Sequence, residues 1–433
     1  MTTQMILALG VLIVMIVLIM TDALPFGAPP LLASLLVIAL GLYPEDADPI
    51  AYGFAGFTSS SVWMVAFFMV VVAGFTKTSL TKKIQNAMLA LVDKGGFKSY
   101  VLLIILVMLG TSAVGGGNTG WYMLILSLVT TLPYNEKMPT SKLLLPMGCA
   151  AVRPLIPINV AIYYSVTIEM LNSAGVTAST TSQLPWMLMS FLFGIFFLVW
   201  SIAGYKVLPD HLIASQTEEG KDNKVERKED SSAALQPWQE TITIICMIIS
   251  VLGMIFINNV GTLGYILPGF CAFVLLAIKV IDWTEFRMNL FSPIVLMMCC
   301  AIPVANALAD SGFTAMIGNA VAGYASGLSP FFLTLILCFL TSTCATLTGA
   351  NFGSAFVFAP IACATCVALG IDPTGPTAAT VFAAWAGGYL PIDGLPAMMY
   401  GMGNYKMTEF WKYMIPLYIL GVIAIAIGGT VFF

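Results

Sequence analysis

Gly115-Gly116-Gly117-Asn118-Thr119-Gly120 lies between two apolar arms, residues 99–113 and 121–133. A second break, Gly349-Ala350-Asn351-Phe352-Gly353, lies between arms 329–345 and 355–369, and its Asn351 falls 233 positions after Asn118. Further along each half, Pro157-Ile158-Asn159 interrupts the apolar segment 141–168, and Pro391-Ile392-Asp393 interrupts 376–400, at an offset of 234. Asx-containing breaks in the same order and at nearly the same offset indicate an internal duplication. Outward from the breaks, hydropathy repeats as well. The first half adds segments near 4–20, 29–43, 61–76 and 186–205; the second adds 241–257, 264–280, 290–308, a weaker 310–326, and 411–432. Before the first arms, Leu80, Ile84, Ala87, Met88 and Leu91 recur at helical spacing and read as an amphipathic, surface-lying helix.

Composition says which solvent such a chain needs. It is 59% hydrophobic and only 9% charged, with mean hydropathy +0.95, against about 25% charged residues in soluble domains. Lipid must therefore cover much of the surface, and the class is an all-α polytopic membrane protein. Nucleic acid is not an expected partner. The nine cysteines all fall in apolar segments, and Cys363-Ala-Thr-Cys366 has neither a second pair nor neighbouring histidines, so the sulfurs read as packing groups. The sole histidine, His211, lies in a polar connection. No cofactor is expected.

Charge placement supplies the topology. Arms of about 15 residues reach only ~22 Å as helix, short of a ~30 Å hydrocarbon core, so the paired arms are expected to be re-entrant hairpins. Each half then crosses five times, and an odd number inverts the second copy. Threaded this way, sixteen of the seventeen basic residues share one side, while Glu45, Asp46, Asp48, Glu169, Asp310 and Asp372 lie on the other. The positive-inside rule then puts both termini outside and the charged linker in the cytoplasm of a cell inner membrane. The expected organisation is a first inverted repeat over 1–214 (hairpin 98–133, broken helix 141–168), a linker over 215–239, and a second repeat over 240–433 (hairpin 328–369, broken helix 376–400).

The exceptional cation is Arg153, in the first broken segment; Asp393 is the charge at depth in the second. A charge there costs about 2.5–3.5 kcal/mol on insertion scales, so each is expected to face a partner or a cavity. Broken helices at bilayer depth are tolerated where their freed backbone groups line a polar chamber, helix N-termini attracting anions and unwound carbonyls cations. Three readings follow. Arg153 binds a carboxylate with its planar fork; Asp393 takes up a proton or cation; or the two pair and hold the repeats together.

At these breaks the sequence resembles a known family. Leu390-Pro391-Ile392-Asp393-Gly394-Leu395-Pro396, then Tyr400-Gly401-Met402-Gly403 and Lys406-Met407, together with Asn351 followed by Pro360, is similar to the last broken span and second hairpin of the divalent-anion:sodium symporters of the ion transporter superfamily, which includes dicarboxylate and sulfate permeases. The resemblance implies inverted repeats, hairpin tips with Ser-Asn-Thr motifs, a homodimer, and dicarboxylates as the favoured substrates. It implies substrate binding at Asn118, Thr119 and Asn351, which Arg153 would join. Sodium would sit at Asn118 and Asn351, with Gly117, Asn159, Thr348, Ala350 and Asp393 around the coupling ion. The motifs are degenerate, since Gly117 and Ala350 stand where the family has serines and Phe352 where it has a threonine.

The expected function is secondary active transport of a small anion, a di- or tricarboxylate, by alternating access with Na+ or H+ coupling or by exchange. The alternative is a cation/proton antiporter of the same superfamily, with Asp393 as ion carrier. An enzyme is not expected: Ser311-Gly312 and Ser326-Gly327 offer nucleophiles, but no buried histidine would activate them. No GxxxxGK[ST] motif points to ATP-driven transport. The aromatic residues read as lipid-facing or packing groups, with Trp63, Trp121, Trp186 and Trp411 suited to interfacial belts.

Overall fold

A computed structural model describes the chain except at residues 1, 21–23, 25–27, 80–82, 84–86, 88–89, 92–93, 115–118, 131–137, 217–234, 350 and 392–393; at 19–20, 113–114, 119–120, 127, 215, 258, 294 and 394 it describes the backbone alone. The amphipathic stretch 80–91 and the centre of the linker thus fall largely outside the described residues.

The described secondary structure is helical throughout. Among the described residues, six helices are long and apolar enough to cross a membrane, Pro237–Ile255 and Met407–Val431 being two of them. In the first half, Thr3–Met20, Ala28–Ala39 and Ser60–Thr76 precede the paired helices Gly96–Val114 and Thr119–Thr130. A helix Thr140–Ala150 then stops, and the chain resumes helical form only at Ala161–Ser173, followed by Leu184–Ala203. The second half runs Pro237–Ile255, Thr262–Ala277, Pro293–Asp310 and Phe313–Ala325, then the pair Pro330–Thr348 and Asn351–Leu369. Thr374–Ala383 and Gly394–Gly403 form its interrupted span, and Met407–Val431 ends the chain. Both predicted breaks are present, and Pro154 and Pro157 explain the first by removing backbone donors.

One expectation needs correction. The arms were expected to be too short to cross, but Gly96–Val114, Pro330–Thr348 and Asn351–Leu369 each run 19 residues. Polar ends such as Asn351-Phe352-Gly353-Ser354 and Thr346 to Thr348 continue the helix beyond the apolar window, and Pro360 is accommodated inside it. Length therefore does not separate an arm from a span. The reversal itself is abrupt: Gly349, at φ +68°, ends one helix two residues before Asn351 begins the next.

The halves pack reciprocally. Ala28–Ala39 packs on Pro293–Asp310, and Ser60–Thr76 packs on Thr262–Ala277. Thus the second helix of one half meets the third of the other, in both directions. The closing helices Leu184–Ala203 and Met407–Val431 pack on each other, as do Ala161–Ser173 and Thr374–Ala383 from the two broken spans. Such reciprocity is what a two-fold relation produces. Among the described residues, the two largest apolar cores each draw on both halves: one around Phe68, Trp186 and Phe382, the other around Tyr100, Leu144 and Phe410.

Candidate functional site

The breaks leave backbone groups that must find partners away from water. In the first break, the N–H of Ile156 donates to Ser112 Oγ at 2.8 Å and that of Leu155 to the Met108 carbonyl at 3.2 Å. Thr111 Oγ1 donates at 2.8 Å to the Ala150 carbonyl, which also accepts the Arg153 N–H at 3.2 Å. All three partners lie on Gly96–Val114, the first arm of the first hairpin. In the second break, the N–H of Gly388 donates to Thr346 Oγ1 at 3.1 Å, from the first arm of the second hairpin. Ser112 and Thr346 are 234 positions apart, the offset of the proline motifs. The same hydroxyl-to-break bond therefore occurs in each half, a correspondence the sequence held without announcing it.

Close approach makes these contacts feasible. A Cβ on Gly194 would stand 2.9 Å from the Pro154 carbonyl, and one on Gly387 would overlap Thr346 Oγ1. Glycine is thus required where Leu184–Ala203 passes the first break and where the second break meets its hairpin.

A cavity of about 350 Å³ lies where the breaks meet, at the junction of the two cores. Arg153 and Asn159 reach it from the first break, Asn351 from the second hairpin tip, and Gly387 and Gly388 from the second break. Tyr122 lines it from the first hairpin's second arm. A hairpin tip at the level of two mid-span breaks is placed as a re-entrant element would be, whatever the length of its arms.

Arg153 is only 5% exposed. One guanidinium nitrogen donates to the Cys149 carbonyl at 3.2 Å, and the guanidinium carbon lies 5.1 Å and 5.3 Å from the ring centres of Phe193 and Phe197. Its Nε has no hydrogen-bond partner, and no carboxylate among the described residues pairs with it. A buried cation flanked by ring faces, with donors left over, has the chemistry to hold an anion.

Of the remaining sequence-derived candidates, Gly117, Asn118, Ala350 and Asp393 lie outside the described residues. Pairing between Arg153 and Asp393 therefore lies outside them as well. Thr119 begins the helix Thr119–Thr130, and only its backbone is described. Thr348 bonds back to the Cys344 carbonyl at 2.8 Å, and Thr346, one turn-side neighbour earlier, lines the cavity in its stead.

Two tryptophans assigned to interfacial belts are interior instead. Trp121 is 3% exposed and donates to Thr111 Oγ1 at 3.0 Å; Trp186 is fully buried against Tyr164 and Phe433. Both start helices, which a hydropathy profile reads as membrane boundaries, but those helix starts are packed beneath neighbouring elements.

Paired broken helices and a hairpin tip surround one cavity within a multi-pass arrangement of apolar helices. The chain matches the sodium:sulfate symporter transmembrane region family model over residues 1–433 and belongs to that family. A crystal structure of the Alcanivorax borkumensis YdaH transporter, described as having an unusual topology, is similar in fold at TM-score 0.58, covering 93% of this chain and 96% of that one at 15% identity. No curated protein sequence matches the chain.

Proposed function

We propose that this transporter carries a small carboxylate anion, of the di- or tricarboxylate class, by alternating access, with Arg153 holding one carboxylate. The observation that carries this reading is the buried Arg153, which lines the cavity, pairs with no carboxylate among the described residues and has an Nε without a hydrogen-bond partner. Asn159 and Asn351 supply neutral polar groups beside it. The N-terminus of Asn351–Leu369 adds a partial positive charge for a second carboxylate. Family membership supports symport over the cation/proton antiport alternative.

In this reading the coupling ion is Na+ at the two hairpin tips, near Asn118 and Asn351, or H+ through Asp393. The halves over 1–214 and 240–433 are inverted repeats, and the linker 215–239 faces the cytoplasm with both termini outside. Contacts among the basic loops fit one shared side. Lys77 pairs with Glu285 at 2.5 Å and Lys142 with Asp210 at 3.6 Å, whereas Tyr52 bonds Asp310 at 2.6 Å within the acidic set. The assembly is proposed as a homodimer in the cell inner membrane.

Counterflow of labelled succinate into proteoliposomes tests the function. Saturable uptake that is driven by a sodium or pH gradient and lost in Arg153→Gln is expected. Uptake unchanged in Arg153→Gln would remove the role given to this residue, and single-channel conductance would replace the carrier with a channel.

A further inference from the structure

Five rings stand around the cavity in one connected series. Phe193, against the Arg153 guanidinium, lies 5.6 Å from Phe382. Phe382 lies 4.3 Å from Tyr163, and Tyr163 lies 5.1 Å from Trp385 at an interplanar angle of 81°. Trp385 lies 4.9 Å from Phe352, edge to face at 90°. All five line the cavity with Arg153, yet they come from four separate helices and the second break. The last ring, Phe352, occupies a hairpin-tip position next to Asn351.

This wall is poorly matched to sulfate or a short aliphatic diacid. Sulfate is strongly hydrated over its whole surface and a short diacid at both closely spaced ends, and facing those charged groups with rings would strip water without returning hydrogen bonds. A planar apolar body suits it. Ring faces and edges offer offset or T-shaped stacking to another ring, while the guanidinium at one end of the series offers a fork to a carboxylate. Tyr163, Trp385 and Phe352 retain partial exposure although they sit inside the molecule, so their open surface is cavity surface. The cavity volume falls at the lower end of the range for small-molecule sites, ample for one ring with its carboxylate.

Resting on the carrier reading above, we infer that the preferred substrate is an aromatic carboxylate, its carboxylate on Arg153 and its ring within the arc formed by Phe193, Phe382, Tyr163, Trp385 and Phe352. The number of carboxylates is a separate matter, so the test compares anions of equal charge.

Competition for uptake and equilibrium binding are measured on the purified full-length protein with terephthalate against succinate, benzoate against acetate, and sulfate. The aromatic member of each pair is expected to bind at least about tenfold more tightly, with sulfate weakest. Trp385→Ala is expected to bring the aromatic-to-aliphatic ratio towards one, and Trp385→Phe to keep it above about fivefold. Wild-type ratios need no variant, so a misfolded Trp385→Ala leaves the test intact. Succinate transported with no preference for terephthalate would overturn this inference and leave the carboxylate-carrier reading standing, whereas sulfate bound most tightly would overturn both. No anion bound at all would overturn both.

Discussion

Residues 151–160 and 384–391 hold equivalent places in the two halves, yet they bring different chemistry to the cavity. The first break is rich in proline, is tied to its hairpin by three hydrogen bonds from backbone and hydroxyl groups, and delivers Arg153 and Asn159. The second delivers Trp385 and two glycines whose bare backbone presses against Thr346. The two halves share a frame of broken helices, and among the described residues the first break brings a charge to the cavity and the second brings shape. A symmetric frame can swing about its centre, while an asymmetric lining can recognise an asymmetric anion, one end charged and the other apolar.

The largest effect is expected at the charged break. Arg153→Gln removes the fork that fixes a desolvated carboxylate, an interaction of about 3–5 kcal/mol, and transport efficiency should fall at least about 100-fold. Arg153→Lys keeps the charge without the fork and is expected to recover only a small part. If Arg153→Lys transports like the wild type, the site needs a point charge alone. The glycine break should be next. Gly387→Ala places a methyl group on Thr346 Oγ1, and uptake is expected to fall about tenfold together with the melting temperature in detergent, as overpacking of this kind costs about 1–3 kcal/mol.

A smaller pair sharpens the comparison. Ser112→Ala and Thr346→Val each leave one backbone N–H of a break without its acceptor, and each should destabilise by about 1–3 kcal/mol. Comparable losses in thermal unfolding would mark the two bonds as counterparts; a loss confined to one would break the equivalence.

The smallest effect lies away from the cavity, at Asp372. Burial by itself raises its carboxyl pKa, but bonds from the Thr374 N–H, at 2.9 Å, from the Thr374 hydroxyl and from Ser179 outweigh this and hold it below its ordinary value of 3.8. A depressed carboxylate contributes stability above its unfolded pKa and loses it as pH falls through the folded one. Asp372→Asn should thus lower the melting temperature slightly at pH 7, by no more than ~2 °C for so exposed a group. The difference should shrink as pH falls below 3.8 and vanish below the depressed folded value, and a difference undiminished in strong acid would contradict the assignment.

Much of the frame was legible in the sequence because the features that make it are local. Proline and glycine interrupt apolar runs where Pro154, Pro157, Gly349 and Gly387 stand, and segment ends mostly follow hydropathy. Arm length misled, because helices continue through polar tip residues such as Asn351 and Thr348. Arg153 was conspicuous as the one cation among apolar residues, and Asn159 and Asn351 as polar groups at breaks. The aromatic wall was not legible. Tyr163, Phe193, Phe352, Phe382 and Trp385 are scattered over more than half the chain, and a ring facing a cavity has the same hydropathy as a ring facing lipid. Ser112 and Thr346 were equally silent, since a hydroxyl in an apolar helix ordinarily bonds back to its own turn and only the fold reveals which one serves a break.

The central claim is that one chamber, closed by both breaks and a hairpin tip, holds the transported anion on Arg153. A cryo-electron-microscopy structure of the protein saturated with a transported carboxylate tests it most directly. Density for the anion within hydrogen-bond reach of the guanidinium, between Asn159 and Asn351, is the expected result. Anion density elsewhere, with Arg153 engaged only by groups of the protein itself, would contradict it.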